Sequence, residues 1–127
     1  MTVLDATVLI AHFNAHDAHH SKGTAVLDLL AHEALRVSPL TMAEVLVAPA
    51  RQGKLQVAVR ALRDLDVQQT MFDQSTPLEL ASLRAQTGLR LPDCAVLAAA
   101  RTERAAVATF DSQLRSAAIQ LELDVVN

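Results

Sequence analysis

Tryptophan and tyrosine are absent from the sequence, and phenylalanine occurs three times in 127 residues. A platform that holds single-stranded nucleic acid by stacking base after base needs more aromatic surface than that. The single cysteine, Cys94, makes an intrachain disulfide impossible, as is usual in a reducing compartment. Long apolar runs are missing too: none approaches the roughly 20 residues that cross a bilayer. The first residues, MTVLDATVLIAHF, lack a basic leader and place Asp5 inside the apolar stretch, which argues against a secretory signal. The expectation is a cytoplasmic protein with no membrane partner. Lysine is scarce, with Lys22 and Lys54 the only two among 11 basic residues, and the formal net charge is −3. Evenly spread, that charge makes a poor trap for a polyanion. Any nucleic acid would be held through its phosphates, by arginines and a metal ion.

What the chain does contain is apolar residues, 51% of the total, enough for one domain spanning residues 1–127. No repeat, low-complexity tract or linker interrupts it. Short β-rich runs alternate with helical patterns. TVL reads as a strand, ATVLIAHF as a short helix and SKGTAVLDLLAHEA as another. LRVS is a second strand, and PLTMAEVLVAPAR opens a helix with Pro39 at a favoured first position. KLQVAVRALRDL is amphipathic, with Leu55, Ala58, Val59 and Leu62 at helical spacing. DVQQTM is a third strand, TPLELASLRAQTG a helix closed by Gly88, and LPDCAVLAAARTERA a helix from Pro92. AVATF and LELDVV complete five strands, with a short helix between them. Alternating strands and helices predict an α/β fold with a mainly parallel sheet covered on both faces.

The segment HFNAHDAHH, residues 12 to 20, carries four histidines and an aspartate. His12 and His16 share a helix face only if the helix continues through Asn14, a poor helix former. A zinc site needs a third or fourth ligand, and there is no second cluster of cysteine and histidine. HEALR fails the zincin pattern because Arg36 stands where the second histidine belongs. NAHDAHH therefore reads as a loop leading into the next helix.

In an open parallel sheet the active crevice lies beyond the carboxyl ends of the strands. That rule selects Asp5 after the first strand and Glu44 in the helix after the second. It also selects Asp93 in the first turn of a late helix, and Asp111 after AVATF. Each has a structural explanation. Asp5 and Asp111 fit N-caps, Thr41 and Glu44 a capping box, and Asp93 a helix-dipole partner. Gathered at one edge they would repel: two charges roughly 5 Å apart cost about 3 kcal/mol at an effective dielectric near 20. A hard divalent cation, Mg²⁺ or Mn²⁺, gives a reason to concentrate them, because it takes oxygen ligands and activates water beside a phosphate. Cys94 reads as a small buried side chain. Arg84, Arg90, Arg101 and Arg104 read first as solvated helix residues, with contact to RNA phosphates by some of them as the alternative.

In VLDAT, SPLTMAEVLV, LPDCAVLAAA and VATFD, taken in order over essentially the whole chain, the sequence resembles the PIN-domain nucleases and, within them, the VapC-type toxins. The resemblance implies a PIN-like three-layer sandwich with five strands in the order 3-2-1-4-5, and metal-dependent endonucleolytic cleavage of RNA. It implies that Asp5, Asp93 and Asp111 bind Mg²⁺ or Mn²⁺, and that Glu44 binds metal or orients the attacking water. Thr7 and Thr109 match the family's supporting hydroxyl positions, although a turn hydroxyl and a strand-end residue explain them equally well. Phe110 stands where many members are polar. A cognate antitoxin whose C-terminal segment covers the active site, and a homodimer, are also implied; residues 40 to 65 offer a docking surface.

Two other readings stay open. A PIN-like module that binds RNA or protein without cutting differs only in its chemistry. A receiver-type signalling domain also holds Mg²⁺ in an acidic pocket. It needs an acidic neighbour beside Asp5 and a late lysine, and neither is present.

Overall fold

A computed structural model describes residues 1–126. Its elements, in chain order, are β1 (Thr2–Leu4), α1 (Ala6–Phe13), α2 (His20–Leu29), β2 (Leu35–Val37), α3 (Pro39–Arg51), α4 (Leu55–Asp64), β3 (Val67–Gln69), α5 (Thr76–Thr87), α6 (Leu91–Glu103), β4 (Ala106–Ala108) and α7 (Ser112–Gln120). The four strands form one parallel sheet in the order β3-β2-β1-β4. The chain builds outward from β1 through β2 to β3, then returns to pair β4 with the other edge of β1. The reversal of direction therefore lies between β1 and β4, where ligands of open parallel sheets bind.

Strand alternation divides the core. Val3 and Val107 pack on one face with α6 residues, Leu83 of α5 and Leu114 of α7. Leu4 and Ala108, their neighbours in sequence, turn to the other face against Val8 and Leu9 of α1, Leu27 of α2, Val45 of α3 and Leu62 of α4. A period of two along each strand thus covers the sheet on both sides. The seven residues from Cys94 to Ala100 of α6 are all buried. Apolar on all sides, a helix of this kind belongs in the interior, and its four alanines allow close approach to β1 and β4.

Several expectations need correction. A fifth strand from Leu121 onward is reduced, among the described residues, to a single bridge between Val107 and Val125. Glu122 turns the chain through φ 62°, and the Leu123 amide donates to Ala118 O at the end of α7. Only the backbone groups of Val107 are then met, by Asp124 O and the Val126 amide. The helix expected over residues 21–34 ends at Leu29. The Glu33 amide closes a turn onto Leu30 O, and the Glu33 carboxylate accepts from Thr2 Oγ1 at 2.9 Å, which pins the return into β2. The capping box also fails: Ser38, not Thr41, caps α3, its hydroxyl accepting from the Thr41 amide at 3.0 Å. Gly88 does close α5, at φ 73°.

At the end of β3, the amide of Thr70 extends the ladder by donating to Val37 O at 2.8 Å. Its hydroxyl is buried without a hydrogen-bond partner among the described residues. An orphaned buried hydroxyl costs more than its apolar isostere, and valine suits the extended backbone. Thr70→Val is expected to stabilise the protein by about 1 kcal/mol. A loss of stability in denaturant titration would show that the hydroxyl is satisfied in solution.

Candidate active site

Asp5 occupies the N-cap position of α1, yet its side chain makes no cap hydrogen bond. Its Oδ2 instead accepts from Thr7 Oγ1 and from Thr109 Oγ1, each at 2.7 Å. Each hydroxyl also accepts a backbone proton, Thr7 from Phe110 N and Thr109 from Asp111 N, both at 3.0 Å. Both threonines therefore have donor and acceptor satisfied, and the link that follows β4 is fastened to the first turn of α1 through one carboxylate. Asp5 is 4% exposed. Among the described residues no hydrogen bond reaches its Oδ1.

Asp111 is the N-cap of α7, its Oδ1 accepting from Gln113 N at 2.8 Å and Leu114 N at 3.1 Å. The structural role expected for it is fulfilled, and among the described residues its second oxygen has no hydrogen-bond partner. Glu44, on the second turn of α3, is half-buried and has no hydrogen-bond partner among the described residues. Asp93, in the first turn of α6, has a side chain 15% exposed, met among the described residues only by Arg90 Nε at 3.9 Å. Because α6 leads into β4, its first turn lies at the carboxyl edge of the sheet.

The electrostatics tie these residues together. Burial pushes the Glu44 carboxyl above its usual range, the Asp5 charge adds to this, Arg90 opposes it, and Asp93 raises it further. Asp93 is raised in the same way, by burial first, then by Asp5, with Arg90 opposing and Asp111 adding. All four sequence-selected acids thus belong to one field. Two of them are held at a cost that Arg90, itself 74% exposed at the side chain, offsets only in part.

The donor set fits a hydrated hard cation. It consists of carboxylate oxygens, several of them unshared, in a region with uncompensated negative charge. It is not a closed cage, since among the described residues no three histidine, cysteine, aspartate or glutamate side chains converge as a ready metal-binding set. Mg²⁺ does not require one, because it keeps several waters and is usually bound through one or two carboxylates. The acids lie on an open edge. A hollow of about 390 Å³ beside α4 and β3, and a groove of about 520 Å³ between α1, α3 and α4, are lined by other residues.

Most of the remaining candidates have local partners. His12 Nδ1 pairs with Thr24 Oγ1 at 3.0 Å, and His20 Nδ1 with Ala11 O at 2.9 Å, so these two join α1 to α2. The ring of His19 lies on Phe110, and His16 is exposed. Cys94 is buried with its thiol directed at Leu89 O, and burial raises its pKa, as befits an inert thiol. Arg84 donates to Leu89 O, and Arg101 faces Glu79 at 3.9 Å. Sequence reasoning missed that Arg90 acts on both Glu44 and Asp93. Its place three residues before Asp93, one helical turn away, was the available signal.

A sequence profile described as PIN domain matches residues 2–120. No curated protein matches the chain. Among solved structures, the chain is similar to a toxin–antitoxin complex from Klebsiella pneumoniae, with a TM-score of 0.81 at 21% identity, over 100% of this chain and 97% of that one. A second similarity is to FitAcB from Neisseria gonorrhoeae, with a TM-score of 0.73 at 22% identity, over 100% of this chain and 97% of that one. A third is to VapC20 from Mycobacterium tuberculosis, a toxin that cleaves the sarcin-ricin loop, with a TM-score of 0.67 at 19% identity, over 92% of this chain and 95% of that one. Identities this low establish the shared fold.

Proposed function

The chain belongs to the PIN-domain family, and from that premise we propose that it is a metal-dependent endoribonuclease, a single domain over residues 1–127 acting as the toxin of a toxin–antitoxin pair. The observation that supports this reading most is the electrostatic grouping of Asp5, Glu44, Asp93 and Asp111 beside the point where the sheet reverses direction. Asp5, Asp93 and Asp111 would hold Mg²⁺ or Mn²⁺, directly or through water, and Glu44 would hold metal or orient the attacking water. A divalent ion there supplies an activated water and neutralises charge on the phosphate.

The protein's own part is positioning. Thr7 and Thr109 donate both their hydroxyl protons to one oxygen of Asp5, which fixes the carboxylate and leaves the other oxygen unshared among the described residues. Glu44, raised in pKa and without a hydrogen-bond partner among the described residues, is suited to accept a proton from water. Arg90 is placed to move from Asp93 towards an incoming phosphate. Attack of water on phosphorus with the 3′-oxygen as leaving group, which takes up a proton as its P–O bond breaks, leaves a 3′-hydroxyl and a 5′-phosphate.

The antitoxin reading draws on the neighbouring complexes and on the groove between α1, α3 and α4. Ile10, Phe13 and Val57 line it and are 40%, 42% and 69% exposed, more apolar surface than isolated side chains present. A homodimer is proposed on the family resemblance. No helix of the described residues is long and apolar enough to cross a membrane.

The test is incubation of the purified protein with a panel of structured RNAs, with Mn²⁺ and with EDTA. Discrete cuts are expected with Mn²⁺ and none with EDTA, and the downstream fragments should accept label only after phosphatase treatment. Tight RNA binding with no cleavage under any metal would replace the nuclease by a PIN module that binds without cutting.

A further inference from the structure

The composition excludes an extended stacking platform, but one aromatic pair lies against the acidic edge. Phe110 sits between Thr109, which holds Asp5, and Asp111, and its amide donates to Thr7 Oγ1, which holds Asp5 as well. The network that fixes the carboxylate therefore fixes the backbone of Phe110. Its half-buried ring packs against the core cluster that contains Leu4 and Val8. The ring of His19 packs against it at a tilt, with planes inclined by 34° and centroids 5.4 Å apart, a separation within the range of favourable aromatic pairs.

His19 is also held by its backbone. Its amide donates to Asp17 Oδ1 at 2.8 Å, and its carbonyl accepts from Gly23 N at 2.8 Å in the first turn of α2. Its side chain is nevertheless exposed, and Phe110 is its only ring contact among the described residues. An exposed ring that packs on a fixed one, between Asp111 and the threonine that holds Asp5, has little left to lose in ordering when a planar ligand lies on it.

We propose that His19, backed by Phe110, is a shelf for one unpaired RNA base next to the phosphate that is cut. The inference rests on the nuclease reading and deepens it, because it places substrate selection in the loop between α1 and α2. Unpaired bases are commonly recognised by stacking on phenylalanine or histidine, and stacking tolerates any base, since each has a π face. The shelf holds one nucleotide, so the protein requires an unstacked base beside the cleaved bond, as in a loop or bulge, and discriminates against continuous duplex.

The experiment uses full-length wild type, His19→Ala and His19→Phe. The cleavage point is first mapped with Mn²⁺. 2-Aminopurine is then placed on either side of it, and binding is followed by fluorescence with Ca²⁺ replacing Mn²⁺. Quenching is expected at one flanking position with wild type and His19→Phe, and should be lost with His19→Ala. In the Mn²⁺ reaction His19→Ala should raise KM by about 5- to 150-fold, the range for loss of one stacked base, with a smaller change in kcat. Melting curves show whether the variant is folded, as expected for an exposed side chain. A wild type that cuts RNA, with His19→Ala unchanged in quenching and KM, overturns this inference alone. A wild type that neither cuts nor binds RNA overturns the nuclease reading and the shelf with it.

Discussion

Asp93→Asn is expected to lose RNA cleavage while melting at a higher temperature than wild type in the absence of metal. The loss should be roughly a thousandfold or more, since metal-assisted charge stabilisation is worth several kcal/mol and each 1.4 kcal/mol is tenfold in rate. The gain in stability follows from the sign of the electrostatics. Asp93 has two favourable partners, the amino end of α6 and Arg90. A carboxylate in a first helical turn gains about 0.3–1 kcal/mol, and a pair with an exposed arginine at 3.9 Å gains little. Burial and the charges of Asp5 and Asp111 outweigh Arg90, because the carboxyl is raised, not lowered. Asparagine keeps the shape and removes the charge. Mg²⁺ should reverse the order of stability, raising the melting temperature of wild type more than that of the variant, because a ligand stabilises in proportion to its binding to the folded state. Equal Mg²⁺ effects on both proteins would remove Asp93 from the site.

The same imbalance sets a pH dependence. Glu44 and Asp93 have folded-state values above their ordinary ones, so their cost is fully present when both are ionised at neutral pH. As pH falls through the raised values, the folded protein takes up protons before the unfolded chain does, and stability rises. Below ordinary carboxylate values both states are protonated and the cost is gone. Asp73 acts in the opposite direction: hydrogen bonds from the Ser75 hydroxyl and amide lower it, so its contribution disappears in more acid solution. Glu33, lowered by hydrogen bonds from the amino terminus and Thr2, acts as Asp73 does, and His12, lowered first by burial, resists protonation in the folded protein as pH falls below the ordinary imidazole value. The imbalance is therefore read as a difference: mild acidification should change the stability of the metal-free wild type more favourably than that of Asp93→Asn. Parallel pH profiles of the two proteins would contradict it.

The acidic residues were legible because a rule about parallel sheets needs only strand ends, and Asp5 and Asp111 follow strands directly. What they do was less legible. Both looked like N-caps. Asp111 is one, while Asp5 accepts from Thr109, 104 residues away in sequence, which no local pattern predicts. Glu44 lies in the helix to which the strand-end rule pointed, but its capping-box explanation fell, because α3 opens at Pro39 as expected and Ser38, not Thr41, is its cap. The parallel sheet was predictable from alternation, whereas its last strand was not. LELDVV has the composition of a strand, but a left-handed turn at Glu122 and the hold of Ala118 on Leu123 leave room for one bridge among the described residues. The histidines were read as a loop because Asn14 and Asp17 break helical periodicity. Tertiary packing then placed His12 and His20 between two helices, where sequence spacing carries no signal.

That helix pair supplies the largest expected change in stability. Gly23→Val should destabilise the protein by about 3 kcal/mol, the upper end for overpacking a tight contact. Gly23 is buried where α2 crosses α1, and a Cβ built on it would lie 3.0 Å from both Val8 O and His12 N and 3.1 Å from Ala11 Cβ. Val8 and His12 are four apart, so a side chain there presses on a helical hydrogen bond of α1 itself. Relief by separation is opposed from both sides, by the His12–Thr24 bond at 3.0 Å and the His20–Ala11 bond at 2.9 Å. Gly23→Ala should cost less, because its helix propensity returns up to about 1 kcal/mol and it needs a shift of only a few tenths of an ångström. The strain does not stop at the contact. α1 begins at the residue after Asp5 and carries Thr7, while α2 begins at the residue after His19. Moving one helix from the other therefore disturbs the Asp5 carboxylate and the aromatic pair together. A Gly23→Val protein that melts within a degree of wild type would show that the two helices part without cost, and that neither feature depends on their close approach.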